Sequence, residues 1–497
     1  MFKIQAIFIC VFTNIFSLSA PLQDKRPNII LIIADDLGSS DLGTYGHPFI
    51  KTPNIDKLAE EGMRFTNAYL TTSSCSPSRA SIITGSYPHQ TDAEQLHWPV
   101  PANKITFVEK LKEAGYWTAQ AGKWHLGDAL INRFDFLAME NTEGFVYGEE
   151  NKGAGDEVIV SDDSGCQNWV STLKKHPKDK PFFLWLASVD PHRPYKEQAI
   201  SVPHLPSDVM LPPYLPDAKE VRQDCVNYYD EISRMDSYVG KVMQELKSEG
   251  IEDNTLILFI SDNGRPFPRE KTTLYDGGIK TPWIIKWPAF VKKGTVTGAL
   301  VSSVDIATTV LSVAKVKPGP EFIGKDISPL LSDPQKEIRQ YIYAEDHWHD
   351  FEDYGRAVRD KRYKYIRNFY PDLPETPSAD ILRDLTFQYM LKQKGNGTLD
   401  TALMSYFYLP KMPEELYDTE KDPYELNNLV KDAAYYSILN TMRRQLDKMR
   451  KDTGDSLPSR RTPDEFSRET GQPLPNRKRP RPSKEDMNAK GYESLKE

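Results

Sequence analysis

The chain has 497 residues, 39% apolar and 27% charged, enough for a large buried core and, by length, for two or more domains. Its 63 Lys and Arg against 71 Asp and Glu leave a formal net charge of −8. That balance excludes a broad nucleic-acid-binding surface, so any anionic ligand must be caught by a local cluster of cations.

The first segment, MFKIQAIFICVFTNIFSLSA (1–20), carries a Lys, an apolar stretch and small residues at its end. This is a secretory signal pattern, too short in its apolar part for a membrane span, and no later run approaches spanning length. The expectation is an exported protein, periplasmic or secreted, or lysosomal in a eukaryote. Removal of the signal takes Cys10 and leaves Cys75, Cys166 and Cys225. At most one disulfide can form, and one cysteine remains for another purpose.

In chain order, NIILIIADD gives a strand over 29–34 and then Asp35 and Asp36, with a helix expected over 52–61. SSCSPSR follows: Cys75 sits in a polar run beside Arg79, and Pro77 with Ile82 and Ile83 marks a helix start. That setting suggests an exposed cysteine, meant for use rather than for packing. YWTAQAGKWHLG leads to Lys123 and His125, and FFLWLASVDPH (strand over 182–189) to Asp190 and His192. A helix over 221–250 precedes TLILFISDN, a strand over 256–260 that ends in Asp262 and Asn263. Continuous apolar strands of this kind are buried on both faces, as in a largely parallel sheet covered by helices. The fold class is α/β, and ligands of such sheets gather beyond the carboxyl ends of the strands, where all these polar groups fall. Three carboxylates and an amide are hard oxygen donors, suited to calcium or magnesium rather than zinc.

From about residue 353 the character changes: RAVRDKRYKYIRNF alternates as a half-exposed strand does, and a helix is expected over 433–451. This predicts a smaller C-terminal unit over 353–455, after a catalytic unit over 21–352. Residues 456–497, rich in Pro and charge, read as a mobile tail. Asn396-Gly397-Thr398 is a glycosylation sequon, meaningful in a eukaryotic secretory setting.

LIIADDLG, TPNIDKLAEEGMRFTNAY, CSPSRASIITGSYPHQ, GYWTAQAGKWHLG, SDNG, KTTLYDGGIKTP and ELYDTEKDPYELNNL, in this order, resemble the type I sulfatases. The resemblance runs from about Arg26 to Val430 and implies an alkaline-phosphatase-like fold: a large, mostly parallel sheet flanked by helices, with a smaller C-terminal antiparallel sheet. It implies that a separate maturation enzyme oxidises Cys75 to formylglycine. One Ca2+ ion would be bound by Asp35, Asp36, Asp262, Asn263 and the modified Cys75. Arg79 would hold the nucleophile, Lys123 and Lys271 would clamp sulfate, and His125 would act as base. His192 would contact sulfate and, with Lys271, protonate the leaving atom. The hydrated aldehyde offers one hydroxyl to attack sulfur and a second to expel sulfate, which splits one hard step into two.

Within the family, SDNGRPFPREKTTLY, FFLWLASVDPHRP, RMDSYVGKVMQELKSEGI and LRDLTFQYM resemble the sulfamidase branch, which acts on N-sulfoglucosamine of heparan type. Lys271 departs from it, standing where that branch carries arginine, and YDGGIKTP is more similar to O-sulfatases; Lys is a point charge where Arg is a fork. Further substrate-binding candidates are His97, Arg193, His347 and His349, beside Trp348; the alternative for these is a buried aromatic corner at the domain junction. The expected partner is a sulfated saccharide, with no nucleic acid and with room for a homodimer. Rival readings are an O-sulfatase, a glycan-binding protein whose cysteine is never oxidised, and a phosphodiester or phosphonate hydrolase. The last calls for a Thr or Ser nucleophile, against Cys75.

Overall fold

Ile29 to Ile33 are five large apolar residues without solvent exposure, and they form the middle of strand β1 (Asn28–Ala34). Each such side chain contributes about 1.5–3 kcal/mol on burial, so this strand anchors the core. In the computed structural model, which describes residues 26–140, 163–196, 198–407 and 409–475, its pleat divides them between two cores. Ile29, Leu31 and Ile33 face one core and Ile30, Ile32 and Ala34 the other. The signal segment and the tail beyond residue 475 lie outside the described residues.

The other strands of this sheet are β2 (Met63–Tyr69), β3 (Trp117–Lys123), β4 (Phe136–Glu140), β5 (Phe182–Ala187), β6 (Thr255–Ser261), β7 (Trp283–Lys286) and β8 (Thr295–Ser302). Their order is β4-β3-β5-β1-β6-β7-β2-β8. β1 pairs in parallel with β5 and β6, and among the described strands of this sheet β7 alone runs antiparallel to its neighbours. Helices Cys75–Thr84, Phe107–Glu113 and Asp305–Val313 cover one face; Pro53–Glu60, Trp169–Lys174 and Lys219–Ser248 cover the other.

A second sheet holds β9 (Ile342–Asp346), β10 (Gly355–Arg359), β11 (Tyr363–Asn368) and β12 (Glu414–Asp418), all antiparallel, in the order β12-β11-β10-β9. Leu439, Met442 and Leu446 of helix Tyr436–Thr453 pack on one face of it. Leu274, Ile279 and Leu300 of the main body pack on the other.

Two expectations are corrected. β9 belongs to the second sheet although it precedes the boundary placed at residue 353, because β9 is apolar and only its partners carry the change in composition. β10 is buried along its whole length rather than half-exposed: Arg356 is paired with Asp455 at 2.8 Å and Arg359 with Asp276 at 2.6 Å. Charged residues enter a core when they are paired and hydrogen-bonded, which alternation alone does not reveal.

Candidate active site

The carboxyl ends of β1, β3, β5 and β6 and the start of helix Cys75–Thr84 meet at one point. β1 and β6 run in register, so the backbones of Asp35 and Asp262 begin their loops side by side, with the Asp262 N–H donating to the Ala34 carbonyl at 3.1 Å. Asp36 takes a left-handed backbone, φ 66°, a strained choice for a non-glycine residue that turns its side chain into the site. The helix places Cys75 and Arg79 four residues apart, hence on one face. Gly122 (φ 90°) allows β3 to approach β5: a Cβ there would lie 1.8 Å from the Ala187 carbonyl oxygen. Lys123 and His125 follow directly.

The thiol of Cys75 lies 3.7 Å from Asp35 Oδ1, 3.9 Å from Asp36 Oδ1 and 3.1 Å from Asn263 Nδ2. Asp36, Asp262 and Asn263 are joined within 3.3 Å by further hydrogen bonds. Arg79 donates to Asp262 Oδ2 at 2.7 Å, Lys271 Nζ stands 2.7 Å from Asp36 Oδ2, and Lys123 Nζ bonds Asp35. The expectation of an exposed cysteine is corrected. Cys75 is 2% exposed, walled in by the charged groups that its polar sequence neighbours foreshadowed only in part. Burial pushes its thiol well above the ordinary range, so the unmodified side chain is a neutral thiol and a poor nucleophile. Cys75, Cys166 and Cys225 are all buried and free of disulfides.

The three carboxylates are crowded together, and burial works against their charge. Burial, followed by nearby Asp35, raises Asp262 to about 7 even against Arg79, and burial raises Asp36. For Asp35 burial acts the same way, but Lys123, His192 and Arg79 prevail and hold it below the carboxylate range. Asn263 Oδ1 is buried without a hydrogen-bond partner. Crowded hard oxygens plus an orphaned amide oxygen are what a divalent cation relieves: Asp35 and Asp36 converge with Cys75 closely enough to hold one, and Asp262 and Asn263 are hydrogen-bonded to Asp36 at 3.3 and 3.1 Å.

A cavity of about 250 Å³ opens onto Cys75 and is lined by His97, His125, His192, Lys271, His349 and Asp380. A larger cavity of about 650 Å³ near Arg265 and Glu270 holds none of these groups, and the chemistry places the site in the smaller one. His97 Nδ1 lies 2.7 Å from His125 Nε2, while His125 Nδ1 is buried without a hydrogen-bond partner. Burial, then His97 and Lys123, push His125 well below the ordinary imidazole range, which leaves a neutral base. His349 hydrogen-bonds Ser74 at 2.7 Å.

Arg193 and His347 do not line this cavity. Arg193 is 3% exposed and held by Asp224 at 2.6 and 2.9 Å and Asp384 at 2.8 Å, with Phe267 and Tyr195 against its guanidinium. His347 bonds Glu345 at 2.8 Å away from the cavity.

The sequence reading missed Asp380, and it missed Phe466, which lines the cavity from within the stretch set aside as a tail. The described part of that stretch is tied down: Trp348 Nε1 donates to the Pro463 carbonyl at 3.1 Å and the Glu465 N–H to the Asp350 carbonyl at 3.1 Å. Composition marked it as mobile because its fixing bonds run to distant backbone, which no local pattern records.

The fold and this constellation define a sulfatase: the sulfatase family model matches residues 27–316, and the chain belongs to that family, hydrolases of sulfate esters or sulfamates. A second family model, N-sulphoglucosamine sulphohydrolase, C-terminal, matches residues 269–386. Human N-sulphoglucosamine sulphohydrolase is 31% identical over 475 residues, covering 86% of this chain and 91% of its own length. An ulvan-active sulfatase of Formosa agariphila is 32% identical over 457 residues, 87% of this chain and 76% of its own. The solved structure of BT4656 with its substrate D-glucosamine-2-N,6-O-disulfate shares the fold with a TM-score of 0.66 at 21% identity, over 87% of this chain and 99% of that one.

Proposed function

We propose that this protein is an exported, calcium-dependent hydrolase of sulfated saccharides, with Cys75 matured to formylglycine by a separate enzyme. The observation that carries this is the meeting of Cys75 with Asp35, Asp36 and Asn263 within 4 Å, under Lys123 and Lys271. Hydrated formylglycine supplies a hydroxyl to attack sulfur and a second whose loss of a proton frees sulfate. Calcium would be held by Asp35, Asp36, Asp262 and Asn263, and would supply positive charge that acidifies the nucleophile.

The chain's own side chains do the rest. Lys123 and Lys271 place fixed positive charge against the sulfuryl oxygens, which become more negative in the transition state. Arg79, bonded to Asp262 and to the Lys123 carbonyl at 3.3 Å, orients position 75 and the acidic cluster together. His125 takes the proton through Nδ1, with His97 fixing its ring. Lys271 is pushed well above the usual lysine range: burial opposes this, but Asp36 outweighs it, so Lys271 is an electrostatic clamp. That leaves His192 to protonate the leaving atom. Its Nδ1 faces the Arg193 carbonyl and its Nε2 stands 3.8 Å from Asp36.

The preferred substrate is an N-sulfated amino sugar, supported by the human relative and the C-terminal family match. A second reading, O-sulfate hydrolysis, is favoured by Lys271 and by the ulvan-active relative. In protein purified from its native source, the peptide bearing Cys75 should be about 18 Da lighter than its cysteine form, as exchange of CH2SH for an aldehyde requires. Sulfate release from N-sulfoglucosamine, measured beside glucosamine 6-sulfate, decides the substrate. An intact thiol together with no release from any sulfated sugar would leave a binding protein.

A further inference from the structure

A carboxylate in a cavity that must admit an anion demands a reason. Asp380 stands on the short helix Ala379–Arg383, pinned by the Ala379 N–H to Asp350 Oδ2 at 2.9 Å and by Ile381 and Leu382 packed near Phe351. Its Oδ2 is buried and accepts no hydrogen bond. That oxygen lies 3.9 Å from Lys271 Nζ and 3.9 Å from His192 Nε2, within ion-pair range but beyond hydrogen-bonding distance of both. Burial disfavours its charge, but Lys271 and then His192 hold its carboxyl well below the usual range, so the group stays ionised and can only accept.

We propose that Asp380 is a specificity-determining residue that accepts the N–H of a bridging nitrogen, so the cavity favours a sulfamate over a sulfate ester. The inference rests on the sulfatase reading above and deepens it. A sulfate held by Lys123 and Lys271 presents its bridging atom to His192, and that atom then lies beside Asp380 Oδ2. A sulfamate nitrogen carries a hydrogen to donate. An ester oxygen offers lone pairs alone, pressed against a carboxylate that has lost its water. Such an unmatched polar pair discriminates far better than a difference in shape does.

The same placement serves the cleavage. The S–N bond breaks with its electron pair left on nitrogen, which takes the proton of His192 Nε2 and leaves as an amine, while sulfur passes to the nucleophile oxygen. The amine gains a second proton from water, and the resulting ammonium presents a donor to Asp380. Asp380 itself exchanges no proton. Lys271 Nζ bonds Asp36 Oδ2 at 2.7 Å, which leaves Asp380 Oδ2 open to the substrate.

The test compares wild-type enzyme with Asp380→Ala and the isosteric Asp380→Asn on N-sulfoglucosamine and glucosamine 6-sulfate. In Asp380→Ala, kcat/KM for the sulfamate should fall about 10- to 100-fold, while that for the ester should hold or rise. Calorimetry on the inactive Cys75→Ala protein, with and without Asp380→Ala, should show weakened binding of N-sulfoglucosamine alone. Equal losses on both substrates would overturn the proposal, because Asp380 would then act only by steadying Lys271 and His192. Wild-type release from the ester alone would overturn it together with the sulfamate preference. Release from neither substrate, nor from any other sulfated sugar, by protein carrying the aldehyde would defeat the catalytic reading itself, a different outcome from the other two.

Discussion

At the residue scale the site is a problem of charge. Asp35, Asp36 and Asp262 lie together without solvent exposure, and Arg79, Lys123 and Lys271 offset part of what their burial costs. Lys123→Ala removes the partner of Asp35 and, on the proposed mechanism, a sulfate clamp. Steady-state kinetics should show a loss of about 10²–10³ in kcat, the scale for one preorganised charge donor. The residues that sequence reading named most firmly, Cys75, the acidic pairs, Lys123 and His125, stand together because each follows a strand end or opens a helix. Arg193 and His347 were drawn from similar polar runs, yet each meets a buried carboxylate and turns from the cavity. Asp380 was invisible for the opposite reason. It lies in an ordinary charged helix, and only the approach of Lys271 from more than a hundred positions earlier gives it meaning.

At the element scale, short-range geometry delivers these groups. Gly122→Ala should destabilise the protein and misplace Lys123, since the new methyl would meet two carbonyl oxygens, of Ala187 and Gly165, within 2.4 Å. Lower thermal stability together with reduced turnover, measured on the same preparation, is the expected pair of results.

β9 is fastened to the short helix Pro88–Thr91, which follows helix Cys75–Thr84, by Glu345, which bonds His89 and also His347. Burial acts to raise Glu345, but His89 and Arg356 lower it to about 2; Glu345 in turn raises His89 against burial. A carboxylate depressed from 4.5 stabilises the fold above that value and loses its contribution as pH falls through about 2. A raised histidine stabilises below 6.5 and loses its contribution as pH climbs through its higher folded value. The pair is therefore worth most between the two ordinary values. The fall in Glu345 corresponds to about 3 kcal/mol at most. Thermal melts should show the gap between wild type and Glu345→Gln widest at pH 5–6 and narrower at pH 3 and pH 9.

At the scale of the whole molecule, metal binding and stability are linked. A cation that occupies the acidic cluster of the native state but not the unfolded chain stabilises by about 2.7 kcal/mol at a hundredfold excess over its dissociation constant. Chelation should therefore lower Tm by several degrees, and calcium should restore it. Asp262→Ala should show a smaller response to both. An unchanged Tm on chelation of fully loaded protein would speak against a metal at this cluster.

The sequence by itself determined the α/β sheet and the strand-end residues of the site. Continuous apolar runs and the polar groups after them are local signals, and the parallel order of β5, β1 and β6 gathers their ends on one edge. Only the tertiary structure decided that Cys75 is buried, that β9 joins the second sheet, that residues near Pro463 return to the cavity, and that Asp380 faces Lys271 and His192. Each of these depends on contacts between segments far apart in the chain, whose energies come from shared burial and charge pairing that no single stretch contains.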